Sequence, residues 1–191
     1  MNSMQTRRKF IQRLSTTCAA MASPALVSAR ALGLDGETAP SNRINLGGIG
    51  INHRGGYVLG YFLQQPEVHF RAIADVRRDR REAIKQLADA KFGENNTATY
   101  RDFRELLDRQ DIDAVLIATG DRWHTTASVY ASRAGKDVYC EKPCALTIEQ
   151  CEILASTMRR NGTIFQGGTQ RRNVDSCRFA CEYVKSGKLG K

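Results

Sequence analysis

Residues 138–143 read Val-Tyr-Cys-Glu-Lys-Pro. An apolar run that looks like the end of a buried strand is followed directly by a carboxylate, an amine and a rigid imide. A lysine amine can polarise a bound oxygen or relay its proton. Pro143 removes a backbone N–H and stiffens the turn, and a cis Lys142–Pro143 bond is a further expectation. Taken alone, the trio reads equally well as a surface ion pair at a strand exit. A second stretch, Gly50-Ile51-Asn52-His53-Arg54-Gly55, is the dinucleotide fingerprint GxGxxG with Asn52 in place of its middle glycine. Gly50 permits the tight turn, and Gly55 lets a helix pack close to its strand. A side chain at 52 crowds a pyrophosphate, and Asn is the mildest replacement because it tolerates the left-handed conformation. The N–H groups that open the following helix attract phosphate, and His53 and Arg54 could meet it. Asp75 comes 25 residues after Gly50, close to where the fingerprint wants an acid for the ribose 2′-hydroxyl. That acid favours NAD. The nearby Arg77, Arg78, Arg80 and Arg81 keep NADP open, since an arginine there can hold a 2′-phosphate.

The elements that must position these residues alternate between two periods. Arg43 to Ile49, Val68 to Asp75, Asp113 to Thr119, Asp137 to Glu141 and Thr163 to Gly168 read as strands. The third is apolar throughout and bounded by polar residues, the mark of a central parallel strand. Helical spacing covers Gly56 to Gln65, Asp79 to Phe92, Thr125 to Ala134 and Val174 to Ser186. Asp102 could cap a short helix carrying Phe103, Leu106 and Leu107. Thr147-Ile148-Glu149-Gln150 is a capping box for a helix that runs to about Asn161. This alternation predicts an α/β fold, a Rossmann-type doubly wound parallel sheet with helices on both faces. Ligands of such sheets bind beyond the carboxyl ends of the strands, and every stretch singled out above falls at one of those ends.

The chain carries 29 Lys and Arg against 20 Asp and Glu in 191 residues, a formal charge of +9. Residues 1–29 contribute Arg7, Arg8, Lys9 and Arg13 and no acid. The rest of the surplus is spread along the chain without a basic, aromatic-interleaved stripe, so no nucleic-acid partner is expected. Thr6-Arg7-Arg8-Lys9-Phe10-Ile11, the weak apolar run Leu14 to Val27 and Val27-Ser28-Ala29 read as a twin-arginine export signal over 1–29. The expected location is therefore extracytoplasmic or periplasmic. That run is too short for a stable membrane span. Residues 30–42 read as a linker. Six cysteines (18, 140, 144, 151, 177 and 181) include no CxxC pair. They are expected to be buried free thiols, with no metal site and no disulfide framework.

The stretches Asn45 to Gly55, Ala72 to Val76, Tyr100 to Leu107, Asp111 to Val115, Ile117 to Thr119, Asp121 to His124, Ala134 to Pro143 and Phe165 to Gln170 together resemble the N-terminal half of the Gfo/Idh/MocA oxidoreductases. Gly135-Lys136-Asp137-Val138-Tyr139-Cys140-Glu141-Lys142-Pro143 is the most specific of them. The resemblance implies an NAD(P)-binding domain over 43–169. Residues 170–191 would be a linking helix and the truncated start of a second α/β domain that is largely absent. It implies a dehydrogenase that moves a hydride between a nicotinamide cofactor and a sugar or polyol. Lys142 would be the catalytic contact to the substrate oxygen. Gly50, Ile51, Asn52, Arg54, Gly55, Asp75, Thr119, His124, Glu141 and Pro143 would line the cofactor, with Glu141 at the nicotinamide ribose or orienting the lysine; His124 could touch nicotinamide or substrate, or instead start the next helix. Gln170 and Arg171 would reach substrate, Trp123 is expected to pack, and an oligomer is possible. Two readings of other classes stand beside this one. One is a truncated, catalytically inactive nucleotide-binding remnant; the other is an interaction domain that pairs through a bare sheet edge.

Overall fold

A computed structural model describes residues 34, 38–93 and 95–190. The export signal and most of the 30–42 linker lie outside them. From Ser41 onward the chain alternates strand and helix as the two periods predict. The strands are β1 (Ile44–Ile49), β2 (Val68–Ala74), β3 (Ala98–Tyr100), β4 (Ala114–Ile117), β5 (Asp137–Cys140) and β6 (Phe165–Gly167). The helices are α1 (His53–Phe62), α2 (Arg78–Phe92), α3 (Phe103–Leu107), α4 (His124–Arg133), α5 (Ile148–Asn161) and α6 (Asp175–Lys185). The six strands form one sheet in the order β3-β2-β1-β4-β5-β6. Every neighbouring pair is parallel. The order reverses between β1 and β4, and this is the switch point where a crevice opens in such folds.

Alternate residues of the central strands feed two cores. On one face Ile49, Val115 and Ile117 pack with Leu106, Leu107, Leu154 and Met158. On the other, Leu46, Phe70, Ile73 and Leu116 pack with Val58, Leu59, Ile84 and Ala88. β4 thus sends Val115 and Ile117 one way and Leu116 the other, which explains its uninterrupted apolar sequence. Each such side chain, fully buried, contributes roughly 1.5–3 kcal/mol.

Local signals set most of the boundaries. The Asp102 carboxylate accepts the N–H of Arg104 and caps α3. The Thr147 hydroxyl accepts the N–H of Gln150 and caps α5. The reciprocal half of the capping box is displaced, because the Gln150 side chain accepts the N–H of Leu146 instead. Two boundaries differ from expectation. α1 begins at His53, so the last three fingerprint residues form its first turn. β3 was not expected at all: three residues at a sheet edge are too few to show an alternation. The cysteines also differ, since among the described residues only Cys140 is buried, and Cys151 and Cys181 are exposed.

The sheet's hydrogen bonding runs one residue past the strands and fixes the rim. Gly50 N–H donates to Ala74 O, Asp75 N–H to Tyr100 O, Ala118 N–H to Ile49 O, Glu141 N–H to Ile117 O and Gly168 N–H to Cys140 O. Gly50, Asp75 and Glu141 are therefore held by the ladder itself, and Thr119, Lys142 and Gln170 follow it within two residues.

Candidate functional site: two grooves on the carboxyl rim

The first groove lies at the switch point and encloses about 700 Å³. Gly50, Asn52, Arg54, Asp75, Thr119 and Trp123 are among its walls. Gly50 has φ +69°, and a Cβ there would lie 2.4 Å from Thr119 Cγ2 and 2.8 Å from its Cα. Only glycine fits this turn, because both backbone and space forbid a side chain. A Cβ on Gly55 would already lie 2.7 Å from the Ala118 Cβ; that is the close helix–strand approach expected of the last fingerprint glycine. Asn52 departs from expectation. Its φ of −139° and ψ of −160° are extended, so the middle position uses no left-handed geometry and any residue could adopt its backbone. Ile51 also departs, since its side chain is 1% exposed and belongs to the core. It shapes the turn and does not face the groove.

Asp75 marks the other end. Its carboxylate is nearly buried, with Oδ1 accepting the Arg77 N–H at 2.8 Å and Oδ2 lying 4.0 Å from Arg80 Nη1. Two of the four arginines expected to blur cofactor choice are engaged elsewhere. Arg77 pairs with Asp79, and Arg81 donates to the Asp75 carbonyl. Arg80 alone of the four lines the groove. On the far wall Asp102 is held down to a pKa of about 2 by its hydrogen bonds from Arg104. Trp123 is half exposed and set edge-on to Phe103 at 6.4 Å; it lines the groove as well as packing.

The second groove lies alongside, with a volume of about 1240 Å³. Lys142, Gln170 and Arg171 line it, and Arg54 belongs to the walls of both. Glu141 sits beneath, 4% exposed. Its carboxylate accepts from Gln170 Nε2 and from Arg54 Nε at 3.4 Å. Gln170 Nε2 also lies 3.0 Å from the Tyr139 hydroxyl, a group whose pKa burial pushes up. Glu141 therefore orients Arg54 and Gln170 and not Lys142, and it lines neither groove. Lys142 is exposed, follows the rim directly and precedes a cis peptide to Pro143.

His124 also corrects the expectation of direct cofactor contact. The ring is 2% exposed. Its Nδ1 lies 2.7 Å from Pro143 O and its Nε2 3.1 Å from Thr119 O. It ties the loop after β4 to the loop after β5. Pro143 enters the site through this tie, and Thr119 through its methyl against Gly50. The Thr119 hydroxyl donates to Gly120 O. Under the second loop the Cys140 thiol donates to the Glu141 carbonyl at 3.4 Å and interacts with the Cys144 thiol. That interaction draws the Cys144 pKa down to about 7, while it and burial push Cys140 up.

Sequence reasoning missed the aromatic wall of the second groove. Tyr57 and Tyr61, joined hydroxyl to hydroxyl at 2.7 Å, stand edge to face with centroids 5.1 Å apart. Their i, i+4 spacing, one position off the apolar stripe of α1, was the available signal.

Comparison with known proteins agrees with this geometry. The family model described as an oxidoreductase family with an NAD-binding Rossmann fold matches residues 44–169. The chain is 27% identical to myo-inositol 2-dehydrogenase from Lactobacillus plantarum, with a TM-score of 0.67 over 78% of this chain and 43% of that one. It is 28% identical to scyllo-inositol dehydrogenase from Lactobacillus casei, solved with NAD(H) and scyllo-inositol, with a TM-score of 0.64 over 78% and 43%. Among curated sequences it is 34% identical over 122 residues to a glycosyl hydrolase family 109 protein from Saccharopolyspora erythraea, covering 61% of this chain and 26% of that one. It is 32% identical over 90 residues to 2,7-anhydro-N-acetylneuraminate hydratase from Mediterraneibacter gnavus, covering 47% and 24%. The chain thus spans about a quarter of the curated relatives and less than half of the solved ones. That family model spans more than half of the chain, and the chain belongs to the Gfo/Idh/MocA oxidoreductase family.

Proposed function

We propose that this chain binds NAD in the first groove and that Lys142 holds the reacting alcohol oxygen of a sugar or polyol in the second. The observation that carries the reading is the shared rim. Gly50, Asp75 and Lys142 stand at the ends of β1, β2 and β5 of one parallel sheet, and Arg54 lines both grooves. The residues present fit a dinucleotide. The volume lies within the usual range for small-molecule sites, roughly 300–1,000 Å³. The first turn of α1 offers free N–H groups to a pyrophosphate, and the Asp75 Oδ2 is left to accept from a ribose hydroxyl. When bound, the nicotinamide supplies the acceptor or donor of hydride. Lys142 holds the substrate oxygen and carries its proton. Glu141 fixes Arg54 and Gln170 at the seam, His124 keeps the two loops in register, and Thr119 closes over Gly50. The nearly buried Asp75 carboxylate repels a 2′-phosphate, so NAD is the expected partner; Arg80 is the residue that could oppose this.

Titrating the purified chain with NAD(H) and NADP(H), then assaying a polyol panel, tests the reading. Tighter binding of NADP would overturn the role of Asp75. Binding without turnover favours the inactive-remnant reading, and binding of neither cofactor removes both.

A second reading is favoured by the relatives named as a hydratase and a glycosyl hydrolase. Their net reactions leave the oxidation state unchanged, so a hydride taken up would have to be returned. Sugar release without accumulation of reduced cofactor would select it. Export is part of the proposal. Replacing Arg7 and Arg8 by lysine in a full-length chain should keep it in the cytoplasm, and unchanged export would remove the twin-arginine assignment.

A further inference from the structure

We infer that the second groove takes a sugar bearing an anionic group, a carboxylate or a phosphate, rather than a neutral polyol. The inference rests on the reading of this groove as the substrate side and narrows its substrate class. Four cations line it, Arg54, Lys142, Arg171 and Arg172, and none of its lining residues is Asp or Glu. Glu141, buried below, offsets one of the four through Arg54. The other three have no acidic partner among the described residues.

Four arginines elsewhere in the chain are neutralised locally. Arg77, Arg104, Arg109 and Arg178 each pair with an aspartate two or three residues away. Such short-range pairing is inexpensive to arrange and worth little at a surface. Its absence from three cations around one groove leaves a positive field directed at whatever enters. Two of the three are a guanidinium pair on one turn, Gln170–Asn173, and guanidinium forks match carboxylate and phosphate oxygens.

The opposite wall recognises the rest of such a ligand. Tyr57 is 58% exposed and Tyr61 54%. Arg54 lies 5.3 Å from the Tyr57 centroid, and the bond between the two hydroxyls restrains both rings. Exposed, restrained aromatic faces suit the C–H face of a pyranose. The groove therefore combines an anion clamp, an aromatic platform and the Lys142 amine.

Calorimetric titration of the full chain with galacturonate, galactose 6-phosphate and galactose, each with and without NAD, tests the inference. One or both anionic sugars should bind at least about tenfold tighter than galactose, about 1.4 kcal/mol. The two anionic arms tell carboxylate from phosphate. The advantage should shrink as salt is raised. The double variant Arg171→Ala/Arg172→Ala should bring the three sugars within about twofold while leaving NAD affinity unchanged, since neither residue lines the first groove. Equal or tighter binding of galactose, no measurable sugar binding in a chain that binds NAD, or an anionic advantage that survives the double variant would each overturn the inference alone. Failure to bind NAD in the unaltered chain would instead strike the proposed function.

Discussion

Around Asp75 the polar atoms of the rim are largely committed: its carboxylate takes the Arg77 N–H, Arg81 takes its carbonyl, and Thr119 closes on Gly50 within van der Waals reach. Around Lys142 they are not. The amine and two guanidinium groups are free among the described residues, and the two tyrosines are more than half exposed. The glycine turn of the first groove is set by backbone and sheet ladder, and its tolerances are tight because packed atoms set them. The second sets long side chains of α1, of the loop after β5 and of the turn after β6 against Tyr139 and Gln166 of the strands β5 and β6. One sheet rim thus supports a rigid seat beside an adaptable one, and substitutions should act on fold in the first and on ligand in the second.

Lys142→Ala should give the largest effect and the sharpest contrast. Turnover in any substrate the chain processes should fall about 10²–10⁴-fold. Stability in denaturant should move by less than about 0.5 kcal/mol, as for other exposed positions. Unchanged turnover would end the role given to this amine. Gly50→Ala should reverse the pattern. The left-handed backbone and the overlap with Thr119 together should cost about 2–4 kcal/mol of unfolding free energy, with cofactor affinity lost alongside. A variant as stable as the parent would mean the turn is looser than its geometry implies.

His124 tests the seam between the regions. His124→Ala leaves the carbonyls of Thr119 and Pro143 without their shared partner and should cost about 1–3 kcal/mol. His124→Gln should recover part of that and part of the NAD affinity. If the alanine variant loses stability while NAD affinity holds, the tie is structural only. The smallest effect concerns Cys144. With its pKa drawn down to about 7, its alkylation rate should reach half-maximum near that pH, against about 8.5 for an ordinary thiol. The sign follows from the reactive form: a lower pKa means more thiolate at neutral pH, so Cys144 should label a few-fold faster there, the gain tempered by weaker nucleophilicity. Cys140→Ala should return the midpoint toward the ordinary value.

The sheet was largely legible because its signals are local and redundant. The apolar β4, the fingerprint glycines, the Asp102 and Thr147 caps and the acid closing β2 each follow from a few adjacent residues. What escaped the sequence depends on distant contacts. His124 could be read as a cofactor contact or as the start of a helix; it opens α4, and only the packed structure brings the Pro143 and Thr119 carbonyls to its two nitrogens. Glu141 looked like a partner of its neighbour Lys142, but in the fold its carboxylate turns to Arg54 and Gln170. Tyr57 and Tyr61 were unremarked because they sit beside the apolar stripe of α1, where a ring is ordinary until a groove is known to run past it. The extended backbone of Asn52 shows a general hazard: a fingerprint glycine can be there for room rather than for conformation, and sequence does not separate the two.

Arg54 has a consequence for the order of events. One guanidinium serves two compartments, so an anion settling in either changes the charge offered to the other. The coupling is reciprocal: whatever factor the first arrival imposes on the second, the second imposes on the first. Two anions drawing on a single cation antagonise each other, unless the first to arrive pulls Arg54 off Glu141 and into a position that welcomes both. The sequence of arrivals is thereby written into one side chain, and a charge-neutral replacement there would uncouple the two occupancies.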